Sequence, residues 1–368
     1  MSAPDSRPRP REDDTGDRYR TYAARIAGVS PTYAAWAARV DPEIETVLDT
    51  VPPTKRQPEL AFAVARSLGA DPFDPDGFRS LVVDHGAAFA RRLAASTMQT
   101  NDPRRMAPIV PVIGAIAARS AAPIGLVEIG ASAGLTLIPD RVVLDFVPEG
   151  DSCGRPVRIA SPLPADRVGT RGLTEACGTA GFASAAAATL PLTAVTTGVT
   201  PEAVPPFRLV ARVGLDPSPI DLRDPAAFSA LAWSVPPEAV ERVALMRSAA
   251  SVLLADPPTL ITGTVQHDLD RALAQLPENC TPVVVTAGTL VYVPGRERQA
   301  FVDAIADRGV HWISLERTGA LVDIASRLPT NHAAAVPADR AFATLAVDGN
   351  PIGSTDPYGT RIHWFAQP

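Results

Sequence analysis

The chain has 368 residues, 46% hydrophobic and 20% charged, with a formal net charge of −6. This composition excludes a wholly disordered chain and provides apolar surface for about two domains. The acidic balance argues against a nucleic-acid coat or an anionic-membrane binder, because each needs a basic face.

Residues 1–17 are polar and proline-rich and are expected to form a disordered tail. Residues 18–120 read as an all-helical N-terminal domain. Ser30-Pro31 supplies an N-cap and a first-turn proline ahead of Tyr33, Trp36 and Val40. Asp41-Pro42 repeats the device before Ile44, Val47 and Leu48. Leu60, Ala61, Val64 and Leu68 mark a third helix stopped by Gly69, and Phe78, Leu81, Val82, Phe89 and Leu93 mark a fourth. A fifth, from about Pro108, is apolar nearly all round and is expected to be buried.

The texture changes at Pro123. Residues 124–129 form a short apolar run leading into small residues, the pattern of a buried parallel strand. Apolar runs recur at 208–213, 259–261, 282–293 and 310–315, with helical patterns between several of them, clearest at 238–254. The alternation predicts an α/β domain over 121–368, a Rossmann-like, doubly wound, mostly parallel sheet. Residues 341–347 and 361–365 flank a turn-rich stretch and predict a C-terminal antiparallel hairpin. Residues 147–205, rich in Pro, Gly, Ala and Thr, read as an insertion rather than a core layer.

Lys55 is the lone lysine, which removes both a Gly-Lys-Ser/Thr phosphate loop and a Schiff-base lysine as pyridoxal enzymes use. Cys153, Cys177 and Cys280 are far apart, without a C-x-x-C, against a disulfide framework or a structural zinc. No histidine has metal-ligand spacing, and no metal is expected. The start lacks the apolar core of a signal peptide, and no run of about 18 apolar residues occurs. A cytoplasmic protein is expected.

Glu128-Ile129-Gly130-Ala131-Ser132-Ala133-Gly134-Leu135 carries the chemistry. Small residues after a buried strand let backbone approach a ligand, and a following helix start would offer free N–H groups. A dinucleotide loop would need glycine at 130, 132 and 135, and only Gly130 matches. The nucleophile elbow G-x-S-x-G matches at Gly130–Gly134 with Ser132 as nucleophile and His311, His332 or His363 downstream. That scheme lacks an upstream glycine-rich oxyanion segment and leaves Glu128 without a role.

The segment resembles the cofactor loop of class I S-adenosylmethionine-dependent methyltransferases. The resemblance implies that Glu128, Gly130, Ala131, Ser132 and Gly134 bind the cofactor, with Ser132 where the family has its middle glycine. It further implies that Asp216, ending the run 209–216, holds the ribose hydroxyls, a role for which Asp145 competes. Thr264 stands where the family has a third-strand acid.

The chain as a whole resembles a bacterial family of uncharacterised proteins, domain of unknown function 2332, over about residues 18–320. Gln99-Thr100-Asn101 with Arg104-Arg105, Glu128–Leu135 with Asp140-Arg141, and Arg212–Asp216 with Pro219 and Asp221 carry that resemblance. It supports the Rossmann-like fold without supplying a substrate.

Gln99 and Asn101 are expected to close over a substrate, and Arg105 to bind a carboxylate or phosphate. The same run, with Asp102-Pro103, equally starts a helix. Tyr292 and Glu316 lie near strand ends where ligands of such sheets bind, and Glu316 suits a general base once burial raises its pKa. The expected activity is methyl transfer to a small molecule. The alternatives are a serine hydrolase using Ser132 and a non-catalytic ligand- or partner-binding protein.

Overall fold

A computed structural model describes residues 14–150, 157–159, 189–201 and 204–368. They form two units: the described residues up to Thr100 with Asp224–Ala244, and those of Asn101–Arg223 with Leu245–Pro368.

The first unit is helical: α1 (Thr15–Ile26), α2 (Pro31–Ala38), α3 (Pro42–Leu48), α4 (Pro58–Ser67) and α5 (Gly77–Ala95). The expected caps are in place. Ser30 Oγ accepts from Tyr33 N, and Asp41 accepts from the backbone of Glu43 and Ile44. The tail prediction is corrected at its end. Asp14 caps α1 by accepting from Asp17 N, so residues 15–17 are helical, while residues 1–13 lie outside the described residues.

Six rings make the centre of this unit: Tyr19, Tyr33, Trp36, Phe62, Phe78 and Phe89 are all buried. Phe62 stands edge-on to both Trp36 and Phe78, with centroids 5.4 and 4.9 Å away. Such pairs add about 0.5–1.5 kcal/mol each beyond the area they bury. A later segment completes the unit. Glu238 accepts from Ser30 Oγ and Thr32 N, both at 2.7 Å, and Arg66 donates to the carbonyls of Trp233 and Val235. No periodicity in the sequence announces this return.

The second unit is mixed α/β, built on an eleven-stranded, mostly parallel sheet. Its strands are β1 (Ile124–Ile129), β2 (Val142–Pro148), β3 (Val157–Ile159), β4 (Leu190–Gly198), β5 (Leu209–Asp216) and β6 (Thr259–Thr262). They continue with β7 (Thr281–Ala287), β8 (His311–Arg317), β9 (Ala343–Val347), β10 (Asn350–Thr355) and β11 (Arg361–Trp364). The order across the sheet is β3-β2-β4-β11-β10-β9-β8-β7-β1-β5-β6. Strand β1 lies parallel between β5 and β7, and β7 is parallel to β8.

Val127, Ile129, Val284 and Trp312 share one apolar cluster with Leu269 and with Phe301 and Ile305 of the helix Gly295–Asp307. Glu128, between Val127 and Ile129, therefore points to the opposite face. Helix α6 (Met106–Arg119) is buried from Met106 to Ile116, as its all-round apolar pattern predicts.

Two further sequence expectations need correction. The C-terminal hairpin is three strands, with β10 between β9 and β11. Strand β10 hides in the sequence because it contains Pro351, at a register shift, and Gly353, whose missing Cβ admits the His363 carbonyl. The stretch 147–205 is not wholly an insertion, since β4 falls within it and pairs with β2 and β11. The rest of that stretch, with Cys153 and Cys177, lies largely outside the described residues. Among the described residues no helix is long and apolar enough to cross a membrane.

Candidate functional site

Strand β1 is buried along its whole length and delivers Glu128 at its penultimate position, 4% exposed. Thr136 Oγ1 donates to this carboxyl and lies 2.5 and 2.6 Å from its two oxygens. One hydroxyl carries one proton, which the two carboxyl oxygens share. Burial pushes Glu128 up to about 7 and Asp216 adds to the rise, against the pull of the Thr136 bond and the Arg105 charge.

After β1 the backbone is left-handed at Gly130, Ser132 and Gly134 (φ +73°, +52° and +76°). The resulting loop ties itself to its neighbours. Gly130 N donates to Leu215 O, Ser132 N to Asp216 Oδ2 at 2.9 Å, and Leu135 N to Asn101 Oδ1 at 2.6 Å. Ser132 O accepts from Ile220 N. No helix begins here, contrary to the sequence expectation, and the next helical turn is the 3-10 segment Pro139–Arg141. Pro139 and the buried run Leu135, Leu137, Ile138 carry the chain directly into β2.

The glycine at 130 has a protein reason as well as a conformational one. A Cβ there would lie 2.2 Å from Thr289 Oγ1, so Thr289 packs where a side chain at position 130 would go. Ala131 is buried in the same packing, while the buried hydroxyl of Ser132 has no hydrogen-bond partner among the described residues. No imidazole bonds Ser132. Among the described histidines, His311 bonds Asp348, His363 bonds Thr197, and His332 stands edge-on to Phe365. The nucleophile-elbow expectation lacks its base.

The second carboxyl is Glu316, 2% exposed near the end of β8. Its oxygens accept from Thr289 N and Leu290 N at 3.1 and 3.2 Å. Burial pushes it up to about 7, opposed by these two backbone bonds, a Thr286 bond and the Arg105 charge. Arg105 Nη1 donates to Ala287 O, the last carbonyl of β7, at 2.8 Å. One guanidinium thus sits over the carboxyl end of β7 and acts electrostatically on acids of both flanking strands.

The remaining predicted residues are placed as follows. Asp216 ends β5 with one oxygen on Ser132 N and the other on Ser218 N, bracing the loop. Asn101 braces the loop, its carbonyl oxygen accepting from Leu135 N. Gln99 belongs to the helical unit and is half-buried. Tyr292 is 71% exposed at the end of the 3-10 turn Leu290–Tyr292 and is not gathered with the buried acids. Asp145 lies on β2, which pairs with β3 and β4 rather than with β1.

Sequence reasoning missed Thr136 and Thr289. Thr136 had a signal, being the hydroxyl inside the apolar run Leu135–Ile138. Thr289 had none, since only the pairing of β1 with β7 brings it to Gly130.

No curated protein and no solved structure matches this chain. A family model matches residues 16–364, which take in every residue of the site just described, and the chain belongs to the family described as Uncharacterized protein conserved in bacteria (DUF2332).

Proposed function

We propose that this protein is a Rossmann-like small-molecule enzyme that transfers a methyl group from S-adenosylmethionine. Numbered by their own succession, the parallel strands β6-β5-β1-β7-β8 run 3-2-1-4-5, the doubly wound order. In that order ligands bind beyond the carboxyl ends of the strands, where the winding reverses, here between β1 and β7.

The observation that carries the proposal is Glu128. It is a buried carboxyl at that reversal, touched by one hydroxyl and, among the described residues, engaged in no salt bridge. The ammonium end of the cofactor is the partner that would complete it. The unpartnered Ser132 hydroxyl suits a polar ligand atom, and each Asp216 oxygen keeps a second lone pair for a ribose hydroxyl. When bound, the cofactor supplies a methyl group on a sulfonium.

The chain's own work is alignment and proton handling. Glu316, protonatable near neutral pH, takes the proton of a substrate hydroxyl or amine, and Arg105 holds its charge in check. Calorimetry with S-adenosylmethionine and S-adenosylhomocysteine tests the proposal. Both are expected to bind, and Glu128→Gln to weaken each by about tenfold or more. Absence of heat with both overturns it.

A further inference from the structure

At the amino end of β8, the edge opposite Glu316, the second unit holds a cavity of about 390 Å³. Its inner wall is apolar: Val302 and Ile305 from the helix Gly295–Asp307, Trp312 from β8, and Leu321 and Ile324 around the helix Val322–Ser326. Such a volume is at the small end of sites for small molecules.

The rim is polar and partly organised. Asp348 and Gly349 are both left-handed (φ +49° and +77°) and make the tight turn between β9 and β10, as an Asp-Gly pair does. That turn aims Asp348 Oδ1 at Trp312 N (2.8 Å) and Oδ2 at His311 Nδ1 (2.9 Å), so Asp348 and His311 satisfy one another.

Two rim charges remain. Arg327 donates only to the neutral Gly349 carbonyl, at 3.2 Å, and among the described residues it pairs with no carboxylate. The Asp323 carboxylate likewise has no cation or donor among the described residues. The two are four residues apart, one helical turn, and line the same cavity without pairing with each other.

An unpaired acid and an unpaired base side by side above an apolar recess are complementary to one ligand class. We propose that this cavity binds an α-amino acid with an apolar side chain. Asp323 takes the ammonium, Arg327 the carboxylate, and the side chain lies on Val302, Ile305 and Leu321. A simple apolar acid would leave Asp323 facing its carboxylate, and a simple amine would leave Arg327 facing its ammonium. The site is separate from the β1 loop and stands whether or not the methyl-transfer proposal holds.

Titration calorimetry on the full chain tests this with L-leucine, L-phenylalanine, 4-methylpentanoate and 3-methylbutylamine. The amino acids are expected to bind below about 1 mM, with the acid and the amine each weaker by about tenfold or more. Arg327→Gln, a surface change that leaves the core intact, should weaken L-leucine by about tenfold and tighten the amine, which no longer faces a guanidinium. Val302→Trp should abolish binding by filling the recess. No binding of either amino acid at about 10 mM, or unchanged L-leucine affinity in Arg327→Gln, would overturn the proposal.

Discussion

Thr136 Oγ1 lies within 2.6 Å of both carboxyl oxygens of Glu128, eight residues earlier, on a carboxyl that is 4% exposed. The contact closes the Gly130–Gly134 loop onto its own strand. It also gives this acid a hydroxyl partner where an ion pair would be ordinary.

The first consequence is a pH dependence of stability. Glu128 is raised from 4.5 to about 7, so the folded state binds its proton more tightly than the unfolded chain does. The stability this confers is complete below about pH 4.5 and is lost as the pH rises through 7, for a total of roughly 3 kcal/mol. Glu128→Gln should lack it. Urea melts at pH 4 to 8 are expected to show the variant gaining on the wild type by about that amount. A constant difference between the two across this range would contradict the assignment.

Arg105 pulls Glu128 and Glu316 downward together. In Arg105→Gln both acids should hold their protons to higher pH, moving the region of lost stability upward by about one pH unit. Carboxyl shifts followed by NMR would report the two midpoints. Movement of only one of them would show that Arg105 does not serve both strands.

Asn101→Ala should cost about 1–3 kcal/mol, because Leu135 N is buried and would lose its acceptor. Chemical denaturation measures this directly. A cost near zero would mean that the loop readily finds another acceptor.

Gly130→Ala meets two penalties, a left-handed φ of +73° and a Cβ 2.2 Å from Thr289 Oγ1. The expected loss is about 2 kcal/mol or more. Thr289→Ala in the same chain should recover part of it, and a double-mutant cycle would show the coupling. Full additivity would place the penalty in the backbone alone.

The strands that are buried on both faces were legible in the sequence. Ile124–Ile129 has the same bounds by pattern and by structure, because a short apolar run ending in glycine has few other uses. The helix starts at Ser30-Pro31 and Asp41-Pro42 were legible for the same reason, as local chemistry decides them. What required the fold was long-range. Asp145 sits in an apolar strand as Asp216 does, and only the strand order parts them. The loop after Gly130 satisfies its own N–H groups through Asp216 and Asn101, which lie 84 and 34 residues away in the sequence. No local pattern distinguishes such a braced turn from the start of a helix.

The central claim is that Glu128 is the seat of a cation, and proton release on binding tests it most directly. At pH 7 a carboxyl titrating at about 7 is near half protonated, so an ammonium group docking on it must expel about half a proton. Calorimetry of S-adenosylmethionine binding in two buffers of different ionisation enthalpy should show that release, with affinity rising as the pH passes from 6 to 8, and both effects should vanish in Glu128→Gln. Binding without proton release, or with release unchanged in the variant, would contradict the account.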